Sequence, residues 1–135
     1  MHKNVAQYTK SGSAPADLLA RGEFTIGVTW DLPPLDKKKA GYPIEIVWPE
    51  EGTGYTLDTV VIFKDTDKVE EAKKFVDLCG KRKFMEISGT VRPRVTMPGV
   101  EALLTTQPKL INYDAYWAEE HQERIIKTWK EKVLK

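Results

Sequence analysis

The sequence is poor in the residues from which most catalytic and metal centres are built. It holds one cysteine, Cys79, and two histidines, His2 and His121, among 135 residues. A single thiol cannot close an internal disulfide, so cysteine usage leaves the redox compartment open. The three residues are too far apart for metal-ligand spacing. No phosphate loop, dinucleotide fingerprint or nucleophile elbow occurs, and no carboxylate pair stands out as general acid and base. Charge of one sign is missing too: 21 basic and 20 acidic residues leave a net charge of +1. Without a global field, polyanion binding is disfavoured. No apolar run approaches the roughly 20 residues of a spanning helix. Residues Met1 to Lys10 lack the apolar core of a secretory signal, and repeats and low-complexity tracts are absent. The expectation is a soluble non-enzyme with neither metal nor cofactor.

What is present is an ordinary globular composition, 41% hydrophobic and 30% charged. Ala14 to Arg21 reads as a short helix, with Ser13 as cap, Pro15 in the first turn and Gly22 at the end. Phe24, Ile26 and Val28 alternate with smaller or polar residues, the period of a half-buried strand ending at Trp30 and Asp31. Consecutive prolines at 33 and 34 disfavour helix, and Asp36 to Ala40 can make one turn before Gly41. A second strand spans Ile44 to Trp48. Thr59 to Phe63 is a nearly continuous β-branched run, expected as a central strand covered on both faces.

Val69, Ala72, Phe75, Val76 and Cys79 then recur at helical spacing, with Asp67 and Glu70 as a capping arrangement and Gly80 as the stop. Phe84 to Ile87 can form another turn. Val91 to Gly99 reads as an extended connection. The last helix begins near Asn112 or Asp114 and runs towards Val133, with Trp117, His121, Ile125, Trp129 and Val133 on one stripe. His121 is read there as a packing residue.

Four places can carry ligand chemistry. Ser11, Gly12 and Ser13 precede a helix, where hydroxyls and free amides suit an oxyanion, although Ser13 also serves as an ordinary cap. Trp30 and Asp31 lie at a strand end; the indole can stack on a sugar or cation and the carboxylate can accept from a hydroxyl or ammonium. Filling a core edge and fixing a turn are equally open roles for this pair. The crossing from Glu50 to Tyr55 has in Gly52 and Gly54 either hinge points or simply two turn glycines. Arg92 and Arg94 flank Pro93 and can clamp a phosphate or carboxylate, although a solvated pair is the plainer reading.

The Ser11 to Pro15 loop, the Trp30 to Lys64 segment and the amphipathic C-terminus together resemble the ferric-iron, phosphonate and sugar-phosphate-binding group of ABC-transporter solute receptors. The resemblance covers nearly the whole chain. It implies an α/β class, a partial type 2 periplasmic-binding-protein fold with a mixed sheet, flanking helices and a long C-terminal helix. It also implies a C-terminal part of a receptor more than twice this length. Residues 1–49 would then belong to the second lobe, 50–55 to the hinge crossing, and 56–135 to the return segment of the first lobe. The resemblance implies that the crossing lines the ligand cleft through Thr53 and Tyr55.

Further implications are capture of a small oxyanionic solute or ferric complex by lobe closure, docking to an ABC permease, and a periplasmic setting whose export signal would lie on the absent part. Ferric-binding members use two adjacent tyrosines near a point where this chain has Trp30 and Asp31, which disfavours direct iron binding. The strand edges left without neighbours suggest two copies associating by exchange of elements across Gly52 to Gly54. An effector-sensing domain of a transcription regulator is the alternative on the same architecture, though no basic recognition helix is visible.

Overall fold

Proline and glycine set most element boundaries in the computed structural model, which describes residues 2–134. Met1 and Lys135, the outermost residues of the expected lobe segments, lie outside the described residues. Helix α1 spans Ala14–Ala20 with Pro15 in its first turn. Its N-cap is Ser13, whose hydroxyl makes no cap bond and instead lies 3.0 Å from the Ser11 hydroxyl. The chain leaves α1 through Gly22 at φ 73°, a left-handed conformation open to glycine.

Helix α2 spans Leu32–Lys39 and corrects the expectation that the two prolines disfavour helix and leave a single turn at Asp36 to Ala40. Pro33 and Pro34 sit in the first turn, where the amides they lack would have no intrahelical partner, and Asp31 is the N-cap. Packing of α1 on α2 buries Ala16 and Leu35, which with Ile44 are the buried hydrophobic side chains among the described residues. Lys37 and Asp17 pair at 2.7 Å between the two helices.

The expected mixed sheet does not form among the described residues. Residues 24–30, 44–48 and 55–63 are irregular, and the single bridge is the parallel contact of Thr53 with Leu110. The supposed central strand is open to water: Val61 is 72% and Phe63 82% exposed. Strand patterning specifies a pleated, half-buried surface and needs a neighbour to close its ladder. These segments have no such neighbour here. Segment 24–30 runs instead along α1, where a Cβ on Gly27 would stand 2.8 Å from Leu19 Cδ1.

Helices α3 (Val69–Cys79) and α4 (Arg82–Gly89) form an amphipathic pair joined through Gly80 and Lys81. The expected capping arrangement at Asp67 is absent; the Thr66 hydroxyl accepts from the Lys68 amide at 3.2 Å. The expected long C-terminal helix is two helices, α5 (Ala115–Glu120) and α6 (Gln122–Lys132). Asp114 caps α5 by accepting from the Trp117 amide at 2.9 Å. The interruption falls at His121, whose ring stacks on Trp117 and whose Nδ1 lies 2.8 Å from the Trp117 carbonyl oxygen.

The accessible surface is 11474 Å². A compact protein of 15.4 kDa exposes about 7,200 Å². The excess is roughly 4,300 Å², and Ile26, Val28, Val47, Val61 and Phe63 are among the apolar side chains exposed to solvent.

Candidate solute-binding wall

Segment 24–30 joins two of the four sequence-derived places. The Thr29 hydroxyl donates to the Gly12 carbonyl oxygen, holding the end of the segment on the serine-glycine-serine loop. The Trp30 indole then lies over Gly12, where an added Cβ would be 3.4 Å from Nε1. A Cβ there would make ordinary van der Waals contact with the ring. A groove of about 290 Å³ opens beside it, lined by Ser13, Asp17, Trp30, Leu32, Pro33, Asp36 and Lys37.

The electrostatics of the groove follow from its ion pair. The hydrogen bond from Lys37, and then its charge, hold the Asp17 carboxyl below its usual 3.8. The same bond holds the Lys37 ammonium above its usual 10.5. Asp36 has no ion-pair partner among the described residues and lies exposed on the rim. Two carboxylates and one ammonium thus leave the groove one net negative charge.

The carbonyl oxygens of the serine loop accept from the chain that follows and from Thr29. The Ala16 and Asp17 amides donate to the Ser13 carbonyl oxygen at 3.0 and 3.3 Å, and the Ala14 amide to that of Ser11 at 3.4 Å. Pro15 has no amide to offer. Ser11 and Ser13 share a hydroxyl bond, which uses one of their two O–H donors.

Asp31 lies at the α2 N-cap, outside the groove lining, paired with Arg94. Arg92 diverges towards Asp58 at 3.5 Å, so the two arginines flanking Pro93 serve different carboxylates. Thr53 and Tyr55 form a separate cluster. The Thr53 amide donates to the Lys109 carbonyl at 2.9 Å, the Ile111 amide to the Thr53 carbonyl at 3.0 Å, and the Tyr55 ring meets Tyr113 edge-on at 6.3 Å. Gly52 adopts φ 114° there, whereas Gly54 has no positive φ. A wider cavity of about 520 Å³, between α4 and residues 99–102, contains none of the sequence-derived candidates.

The sequence reading missed Asp17, Asp36 and Lys37. An aspartate followed at the next positions by Leu-Pro-Pro is an N-cap signal that would have opened α2 at Asp31 and turned Asp36 and Lys37 towards α1.

A family model described as bacterial extracellular solute-binding protein matches residues 1–114. The chain belongs to this family. A Haemophilus influenzae protein described as uncharacterized is 39% identical over 142 residues, covering 98% of this chain and 41% of that protein. Spermidine/putrescine-binding periplasmic proteins of Salmonella typhimurium and Escherichia coli are each 31% identical over 74 residues, covering 55% of this chain and 21% of theirs. The chain therefore spans about two-fifths of the H. influenzae relative's length and one-fifth of the others'. No solved structure matches it significantly. The family is one of non-catalytic binding proteins, with extracytoplasmic relatives. No described helix is long and apolar enough to cross a membrane.

Proposed function

We propose that this chain forms one wall of the solute cleft in an ABC import receptor and that the solute is a small organic amine. The observation that carries the reading is the placing of Trp30 in one groove with the Asp17 and Asp36 carboxylates. An aromatic face and a carboxylate are the two groups that best replace water around an ammonium. The uncompensated charge at Asp36 supplies the Coulombic part. The relatives named for spermidine and putrescine support the same class.

The oxyanionic solute expected from sequence has less support, since the groove beside the loop carries a net negative charge. Capture involves no bond-making: residues 1–49 and 56–135 contribute to two lobes that close about the crossing at 50–55, and the closed form docks to a permease. Alone, the wall supplies only part of the contacts, and binding by this chain is weak. Two copies cover part of each other's apolar segments, a reading supported by the exposure of Val61 and Phe63.

Fluorescence titration with putrescine tests the amine reading. Quenching in the wild type that is reduced in both Trp30→Phe and Asp36→Asn supports it. Titration by phosphate or an alkylphosphonate, with none by the amine, overturns it.

A further inference from the structure

We propose that Arg94 is an internal cation filling a cation cage of this wall, and that it is the residue that positions residues 30–48 against the return segment. Its Nη1 donates to Asp31 Oδ2, and its Nη2 donates to the Thr106 carbonyl oxygen at 3.2 Å. Its Cζ lies 5.0 Å from the centre of the Trp48 ring. A carboxylate, a carbonyl and an aromatic face are the set that recognises a guanidinium or ammonium.

The cage is partly enclosed: the Arg94 and Asp31 side chains are only 29% and 21% exposed, and Arg94 Nε is shut off from water with no acceptor. Backbone bonds fix the approach of the guanidinium. The Leu103 amide donates to the Arg92 carbonyl at 3.1 Å and the Leu104 amide to the Pro93 carbonyl at 3.0 Å. The planar fork of arginine reaches all three partners at once, which the compact ammonium of lysine cannot do.

Two consequences follow. Asp31 and Trp48, from the segment before the crossing, are tied to Thr106 beyond it, so Arg94 holds together parts of the chain that the hinge would otherwise let separate. Asp31 is also neutralised, leaving the groove carboxylates as the ones that face the solute. This second consequence rests on the groove reading above; the cage itself does not.

The test is chemical rescue of the full chain. Arg94→Ala lowers the thermal midpoint, and millimolar methylguanidinium restores part of it in a saturable way that sodium chloride at equal ionic strength does not reproduce. The Asp31→Asn/Arg94→Ala double variant shows no rescue. Failure of rescue, or equal rescue in the double variant, overturns the cage. A second measurement uses the wild type: phenylglyoxal modifies Arg94 at least about tenfold more slowly than Arg92, and Asp31→Asn removes most of that protection. Equal rates for the two arginines overturn the proposal. Rescue without any amine binding would refute the groove reading and leave the cage standing.

Discussion

Gly52 and Ile111 touch across the crossing: a Cβ at position 52 would stand 3.1 Å from Ile111 Cγ2 and 3.2 Å from the Lys109 carbonyl oxygen. With φ at 114°, both the backbone and its surroundings require glycine. Gly52→Ala is expected to destabilise the chain by about 1–3 kcal/mol. Gly54→Ala, whose nearest neighbour would be Ile111 Cδ1 at 4.0 Å, should change stability by less than about 1 kcal/mol. Urea unfolding of both variants checks the contrast, and equal losses would contradict it.

Gly89 offers a stricter test of packing. A Cβ there would lie 2.0 Å from the Glu101 carbonyl oxygen, and that atom cannot swing aside as a side chain can. Gly89→Ala should cost about 1–3 kcal/mol through overpacking. Adding Glu101→Ala should not recover it, because the clash is with backbone. Recovery in the double variant, read by thermal unfolding, would contradict the geometry.

The Asp17 and Lys37 pair makes a pH prediction with a definite sign. The Asp17 carboxyl is held below 3.8, so its contribution is present above that value and is lost as pH falls through the lowered one. The Lys37 ammonium is held above 10.5, so its contribution is present below that value and is lost as pH rises through the raised one. The pair therefore supports the packing of α1 on α2 throughout the neutral range. Carboxyl NMR titration of Lys37→Met should show the Asp17 midpoint rising towards 3.8; an unchanged midpoint would remove the pair as its cause.

The exposed faces at Val61 and Phe63 predict association. Sedimentation equilibrium should show a dimer whose dissociation constant rises at least about tenfold in Val61→Lys/Phe63→Lys, since each lysine would have to be desolvated at the interface. A monomer at all concentrations would mean that a second copy does not cover these segments.

The helices were largely legible from sequence because their signals are local. Val69 to Cys79 carries its own apolar stripe and its glycine stop, and α3 ends where that pattern ends. The proline pair at 33 and 34 misled the reading because proline both breaks a helix interior and suits a first turn, and Asp31 as N-cap decides between the two. The strands were legible as patterns but not as a sheet. Residues 24–28 and 59–63 alternate or run apolar as strands do, yet a ladder is a property of two segments, and these have no partner. The C-terminal stripe spans Trp117 to Trp129 without revealing the break at His121, where the backbone turns to φ −103° and ψ 5° although the His121 amide still donates to the Trp117 carbonyl.

At the candidate site, the neighbourhood of Trp30 with Ser11 to Ser13 was legible as two separate local signals, and the Thr29 bond to Gly12 is what joins them. The partnership of Arg94 with Asp31 was not, because 63 residues separate them and no local pattern encodes it.

Mapping of chemical shifts in the isotopically labelled chain, titrated with putrescine and separately with phosphate, tests the central claim most directly, because it registers weak binding by a single wall. The account predicts that putrescine moves the Trp30 indole resonance together with the Asp17 and Asp36 carboxyl signals, while phosphate leaves them in place. Phosphate moving the Gly12 and Ser13 amides, with no response to putrescine at the indole, would contradict it.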